Sequence, residues 1–250
     1  MARNAAEYAR YDRQIRIPEI GEEGQSRIRE AKVFLAGLGG LGSISAYYLV
    51  AAGVGHLRAV DRDRVRVENL NRQILHRTPD IERYKTDSAA EKLRELNPHC
   101  RIETIREEIA AENALELVGD CAIIVDGTDN FETRTVLNRT SVANRVPFVF
   151  GGVEGLGGMA GTFVPPETAC FECVFPARAV ETASPAVLGA VPGLIGSIQA
   201  LEVIKLIVGI PGTLKGRLLK VRGVDLTFKE IRLERYPDCK VCGSRGKAGR

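Results

Sequence analysis

The chain has 250 residues, 44% hydrophobic and 27% charged, a composition that excludes a fibrous or wholly disordered protein and suffices for one large domain or two closely packed ones. Thirty-five basic residues against 32 acidic ones leave a formal net charge of +3, so there is no global attraction to nucleic acid, although a local basic site for a phosphate ligand stays open. Trp is absent and aromatics make up 6% of the chain, which argues against base-stacking platforms.

The opening segment, MARNAAEYARYDRQ, is polar and has no apolar signal region, so the expected compartment is a reducing cytoplasm. Residues 1–30 read as an N-terminal helical arm. KVFLA, Lys32 to Ala36, is a short apolar run ending in the glycine turn Gly37-Leu-Gly-Gly-Leu-Gly-Ser43, and an apolar helical pattern follows to Gly53. The next strand, His56 to Val60, stops at Asp61, and a loop rich in Arg and Asn extends to about Arg83. Thr86 to Leu96 reads as a surface helix capped by Thr86 and stopped by Asn97-Pro98. Candidates then alternate: a strand from Arg101 to Ile105, a helix near Ala111 to Val118, the buried run AIIVD ending at Asp126, a helix from Phe131 to Asn144, and the strand PFVFG. Such alternation predicts a doubly wound, mostly parallel α/β sheet over residues 31–150.

From Gly151 the pattern becomes glycine-rich with period-2 apolar positions, and Gly216 to Leu233 reads as two strands joined by a turn, so an antiparallel extension is expected over 151–242. The apolar stretch Leu188 to Ile210 is interrupted by Gln199, Glu202 and Lys205 at i+3 spacing. That polar stripe predicts an amphipathic helix over Gly193 to Val208 packed on the sheet, not a membrane span. The small, basic residues 243–250 read as a flexible tail.

Gly37, Gly39 and Gly42 satisfy G-x-G-x-x-G between a strand and a helix, with Gly40 inside the turn and Asp61 ending the next strand, where an acidic group can meet ribose hydroxyls. Glycines let backbone N–H groups at a helix N-terminus approach a phosphate without an intervening Cβ. The motif alone does not choose between NAD and ATP. Asn69-Leu-Asn-Arg72-Gln73 and Lys85 follow, and a paired Arg and Lys could neutralise a triphosphate, a pair that a dinucleotide does not need; singly, either is an ordinary surface charge. In Asp126-Gly-Thr-Asp129-Asn130, Asp129 lies at the carboxyl edge of the sheet, where it could hold Mg²⁺ or cap the following helix, a task Asn130 could take instead.

Six cysteines divide into Cys170-x-x-Cys173, Cys239-x-x-Cys242 and the separate Cys100 and Cys121. Two such pairs fit a structural Zn²⁺ held by four thiolates, with a redox dithiol as the alternative. Cys121 opens an apolar strand and reads as core, while Cys100 has no evident partner and is the one thiol open to adventitious reaction.

Taken in order through nearly the whole chain, Arg13-Gln14, the glycine turn, Asp61, the 69–73 segment, Lys85, the 126–130 segment and both cysteine pairs resemble the E1-like adenylating enzymes of the MoeB/ThiF/HesA family, molybdopterin-synthase adenylyltransferase type. The resemblance implies a Rossmann-like sheet with a structural zinc site, and a homodimer that uses ATP and Mg²⁺ to adenylate the C-terminal Gly-Gly carboxylate of a small ubiquitin-like sulfur-carrier protein, releasing pyrophosphate. It implies that Asp61 holds the ribose, Arg72 and Lys85 the phosphates, and Asp129 the magnesium. Asn69 and Gln73 join the nucleotide site, and Arg13 reaches the ATP of the other subunit. The partner surface is expected within 151–242, with neither nucleic acid nor membrane as a partner. Relatives that carry sulfur or form a thioester have a cysteine in the loop before Pro192. Residues 177–191 contain none, with Ser184 near that position, so adenylation without a covalent intermediate is expected. An NAD-dependent oxidoreductase and a non-enzymatic nucleotide-binding scaffold are the rival readings.

Overall fold

A computed structural model of the protein describes residues 5–176 and 186–243. Two helices, α1 (Ala5–Ile15) and α2 (Gly21–Glu30), precede β1 (Lys32–Ala36), α3 (Gly40–Ala52) and β2 (His56–Val60). After the Arg-rich loop come α4 (Lys85–Leu96), β3 (Arg101–Ile105), α5 (Ala114–Val118), β4 (Ile123–Asp126), α6 (Phe131–Asn144) and β5 (Phe148–Glu154). The rest comprises β6 (Gly157–Phe163), α7 (Phe171–Val174), α8 (Ala190–Val208), β7 (Arg217–Arg222) and β8 (Thr227–Arg232).

The strands form one eight-stranded sheet in the order β3-β2-β1-β4-β5-β6-β7-β8. Pairing is parallel from β3 to β5 and antiparallel from β5 to β8. The expected change of texture near residue 150 therefore falls inside β5, which pairs with β4 on one side and β6 on the other. From Val33 to Ala36 β1 is continuously apolar because both of its faces are covered. Val33 and Leu35 pack with Leu49, Leu93 and Val203 on one side of the sheet, while Phe34 and Ala36 join Leu137, Phe148, Phe163 and Phe171 on the other.

Four local expectations need correction. The α4 helix begins one residue earlier, with Tyr84 at its N-cap and no side-chain cap bond; Thr86 lies inside the helix, 2% exposed, because this face packs on the core. The fifth helix covers only Ala114–Val118. The helix α8 starts at Ala190, and its polar stripe points inward: Gln199 is 0% and Glu202 3% exposed. Gln199 Nε2 donates to the carbonyls of Asp126 (2.7 Å) and Val149 (3.2 Å), and Glu202 accepts from Thr162 Oγ1 (2.9 Å) and Lys205 Nζ (2.6 Å). By length and composition α8 could cross a membrane, yet here it packs on the sheet and α3, with Gln199 Nε2 and the Glu202 carboxylate hydrogen-bonded inside the fold. Its outward face carries the apolar Leu194 and Leu201 instead. Of the C-terminal stretch read as a tail, 244–250 lie outside the described residues.

Candidate functional site

Where the chain leaves β1 for α3 and later leaves β4 for α6, strands that are neighbours in the sheet feed connections in opposite directions, and their carboxyl ends open a crevice. Two close approaches shape its floor. Gly37 has φ +87°, and a Cβ there would stand 2.8 Å from the carbonyl oxygen of Gly127; a Cβ on Gly42 would stand 2.0 Å from the carbonyl oxygen of Gly37. Gly37, Gly39 and Gly40 line a pocket of about 650 Å³, whereas Gly42 is not among its lining residues, so its part is to let the turn close on itself.

The crevice brings together most of the residues singled out from the sequence. Asp61, Arg72, Gln73, Lys85 and Asp129 all line it. Asp61 Oδ2 accepts the Leu38 N–H (2.7 Å) and Oδ1 the Asp63 N–H (2.8 Å). Burial pushes its carboxyl above the usual range, against the opposing pull of Lys85 and of those two N–H donors. Lys85 Nζ, on a side chain only 6% exposed, lies 2.9 Å from Asp63 Oδ2 and 4.0 Å from Asp61 Oδ2. Arg72 donates to the Glu68 carbonyl (2.9 Å) and to Asn71 Oδ1 (3.0 Å), and its Cγ flanks Gly40. Gln73 is buried, and its Oε1 has no hydrogen-bond partner. Asp129 is exposed to the pocket, left unencumbered because Asn130 Oδ1 caps α6 by accepting from Thr133 N at 2.8 Å.

Besides Gly42, two further residues expected at a nucleotide do not line this pocket. Asn69 turns its Oδ1 to the Arg66 N–H (3.0 Å), closing the 3₁₀ turn Val67–Asn69, because an amide two bonds from the backbone is well placed to cap locally. Arg13 lies exposed on α1, outside its own chain's pocket.

The sequence reading passed over Arg134, which also lines the pocket. Its Nε donates to Asp126 Oδ2 (2.9 Å) and its Nη2 to the carbonyls of Thr128 (2.7 Å) and Gly151 (3.0 Å). Asp126, 0% exposed, also accepts from Thr128 N (2.9 Å) and Oγ1 (2.6 Å), so one buried ion pair pins the loop that carries Asp129. An aspartate ending an apolar strand was the available signal, since a carboxylate there requires a cation.

A polyphosphate nucleotide fits this donor set. Glycine amides at the start of α3 and two flanking cations converge on one cavity as donors to phosphate, the unpartnered Gln73 Oε1 is an acceptor for a hydroxyl or N–H of the nucleotide, and the exposed carboxylate of Asp129 suits a hydrated divalent cation.

The second site lies beside α6, where Asn138 Nδ2 is 3.7 Å from Cys170 Sγ. Sγ atoms of Cys170, Cys173, Cys239 and Cys242 lie within 4.8 Å of one another, with Cys170–Cys173 at 3.8 Å, Cys170–Cys239 at 3.7 Å and Cys173–Cys242 at 3.4 Å. A tetrahedron with metal–sulfur bonds of about 2.3 Å has edges of about 3.8 Å, so zinc fits the cluster. Burial and the neighbouring Cys173 push the Cys170 thiol up, so thiolates this close need a cation between them. Asn138 Oδ1 accepts from Phe171 N (2.9 Å), and the Phe171 ring packs against Phe150 (5.3 Å) and Phe175 (4.9 Å), tying the first pair to the sheet. Cys100 and Cys121 are buried at 6% and 3% exposure, and burial pushes their thiols up to about 12 and about 11. This corrects the expectation that Cys100 is open to reaction. Ser184 lies outside the described residues.

The strand order, the glycine turn after β1 and the pocket at the carboxyl edge define a doubly wound α/β chain with an antiparallel extension. The chain belongs to the ThiF family of E1-like adenylyltransferases, whose sequence model matches residues 11–241. It is 38% identical over 247 residues to a sulfur carrier protein adenylyltransferase of Thermus thermophilus, covering 95% of this chain and 91% of that one. It is likewise 38% identical over 248 residues to a SAMP-activating enzyme E1 of Haloferax volcanii, covering 97% and 92%. Among solved structures, E. coli MccB with ATP superposes with a TM-score of 0.79 at 25% identity, covering 88% of this chain and 69% of that one.

Proposed function

We propose that the protein adenylates the C-terminal Gly-Gly carboxylate of a small ubiquitin-like sulfur-carrier protein with MgATP and releases pyrophosphate. The observation that carries this reading is one pocket in which the cations of Arg72 and Lys85 flank the glycine turn and Asp129 offers a carboxylate for a divalent cation, a phosphate-binding set larger than a dinucleotide requires. The similarity to a sulfur carrier protein adenylyltransferase supports the choice of acceptor.

In this reading the amides of Gly39 and Gly40 and the cations of Arg72 and Lys85 hold the phosphates, Gln73 orients the nucleotide and Asp61 receives the ribose hydroxyls. Lys85 leaves Asp63 for a phosphate oxygen, a short move for a lysine that already lies in the pocket wall. Asp129 would hold Mg²⁺, which when bound neutralises phosphate charge. An oxygen of the carrier's carboxylate bonds the α-phosphorus while the bond from that phosphorus to the bridging oxygen breaks, and pyrophosphate departs with the electron pair. No general base is needed, because a carboxylate is ionised at neutral pH. Catalysis is positioning and charge neutralisation by preorganised groups.

The same reading makes the protein a cytoplasmic homodimer. Exposed Tyr48, Leu194 and Leu201 on the packed α3 and α8 offer apolar surface for a second copy, and Arg13, outside its own pocket, is available to the partner's. The four-cysteine cluster holds a structural Zn²⁺. Adenylation ends at the acyl-adenylate, since residues 177–191 contain no cysteine and both unpaired thiols are buried.

ATP–pyrophosphate exchange tests the proposal. Exchange should require a carrier ending in Gly-Gly, fall at least 100-fold in Asp129→Ala, and leave no thiol-sensitive adduct at the combined mass. Binding of NAD in preference to ATP, with no exchange against a panel of such carriers, would overturn it.

A further inference from the structure

Behind the glycine turn, on the side away from the pocket, runs a buried polar chain that the proposed chemistry does not use. His76, Ser88, Lys92 and Asp80 are 4%, 0%, 7% and 3% exposed, and none of them lines the pocket. Lys92 Nζ donates to Asp80 Oδ2 (2.6 Å) and to Ser88 Oγ (2.9 Å). Asp80 is further held by Arg83 Nη1 (2.8 Å) and the Arg77 N–H (2.7 Å). Ser88 Oγ lies 2.9 Å from His76 Nδ1, and His76 Nε2 lies 3.1 Å from the carbonyl oxygen of Leu38, the residue between Gly37 and Gly39.

The proton positions follow from the order of donors. An ammonium has only protons to give, so Ser88 Oγ accepts from Lys92; the Leu38 carbonyl can only accept, so the uncharged imidazole turns an N–H toward it from Nε2 and leaves Nδ1 to accept the Ser88 proton. The imidazole then carries its single proton on Nε2 and donates to Leu38 O. Burial, with the nearby Lys85 and Lys92, pushes the imidazole down to about 4 against the opposing Leu38 bond and Asp80 charge, so it is uncharged near neutral pH. Ser43 Oγ adds only a long contact to the same carbonyl, at 3.5 Å.

A planar trans peptide points its C=O and N–H in opposite directions. Drawing the Leu38 carbonyl inward to His76 therefore turns the Gly39 N–H outward, to the side on which Gly39 lines the pocket. The Leu38 N–H is fixed in turn by Asp61 Oδ2 at 2.7 Å, so both ends of this residue are anchored from within the fold.

We propose that His76, set in one tautomer by the Asp80–Lys92–Ser88 chain, is a positioning residue that orients the Gly39 amide toward a nucleotide phosphate. The proposal rests on the nucleotide site described above, and the experiment separates the two. His76→Phe keeps the ring and removes the donor, His76→Gln restores an N–H near the Nε2 position, and Ser88→Ala removes the group that sets the tautomer. Each is measured by pyrophosphate exchange with ATP and the carrier varied in turn, and by the amide resonance of Gly39 with and without a non-hydrolysable ATP analogue.

Loss of one oriented donor to a charged phosphate should raise the KM for ATP about tenfold or more in His76→Phe, leaving the KM for the carrier unchanged. His76→Gln should recover most of the loss, and Ser88→Ala should show a several-fold rise. In the wild type the analogue should shift the Gly39 amide proton, and in His76→Phe that shift should collapse. Should His76→Phe not fold, Ser88→Ala decides by the same two readouts. A wild-type protein whose glycine-turn amides ignore the analogue refutes the nucleotide site itself. A wild type that binds, with the KM for ATP and the Gly39 shift unaltered in the folded variants, refutes the role of His76 alone.

Discussion

Replacing Arg134 by Met keeps most of its stem and removes the cation from a carboxylate that is fully buried. Asp126 would retain two neutral donors, Thr128 N and Oγ1, in place of the three it has with Arg134 Nε. Leaving a buried charge without its partner costs about 3–5 kcal/mol, a large share of the roughly 5–15 kcal/mol by which such a protein is stable. At about 2–4 °C per kcal/mol for a chain of this size, the melting temperature should fall by roughly 6–20 °C. Adding Asp126→Asn removes the stranded charge, so the double variant should regain more than half of the loss. Calorimetry or urea unfolding at constant zinc reads both. A loss below about 1 kcal/mol in Arg134→Met, or a double variant as unstable as the sum of the two single ones, would refute the claim that this ion pair pins the loop.

Chelation or Cys239→Ser should lower the melting temperature by more than about 10 °C, because an ion held by the four cysteines would close the long loop between Cys173 and Cys239. Metal analysis should give one zinc per chain, and a metal-free protein with unchanged melting would contradict this. Arg13→Ala and Asp129→Ala chains, each inactive alone, should recover part of the exchange activity when mixed; absence of recovery despite confirmed subunit exchange rules out action of Arg13 in trans. Acid should destabilise the protein through His76. Its pKa is about 6.5 unfolded and about 4 folded, so the unfolded chain binds the extra proton, and stability present above pH 6.5 is lost as pH falls toward 4. The window is worth roughly 3 kcal/mol at most, and urea midpoints of wild type and His76→Gln should converge across it, whereas parallel pH curves would count against a buried neutral imidazole.

Much of the scaffold was legible because it rests on local signals. β1, β2 and β3 have the predicted bounds, since an apolar run closed by glycine, aspartate or a turn specifies where a strand stops. The glycine turn, Asp61 after β2, the Asn130 cap and the paired cysteines belong to the same class, for each places a particular chemical group at a fixed offset from an element end. Direction and partnership were decided elsewhere. The i+3 spacing of Gln199, Glu202 and Lys205 specifies a stripe, but only the fold turns it inward, where Gln199 meets the carbonyl of Asp126, 73 positions away. Asn69 is grouped with Arg72 and Gln73 by sequence proximity, yet in the fold its Oδ1 closes a 3₁₀ turn by accepting the Arg66 N–H, while Arg72 and Gln73 line the pocket. His76, Ser88, Lys92 and Asp80 look like scattered surface polar residues along the chain, as does Arg134. Burying any one of them alone would be costly, and only the tertiary structure supplies the partners that make those buried polar groups stable and aim them at the glycine turn and the Asp129 loop.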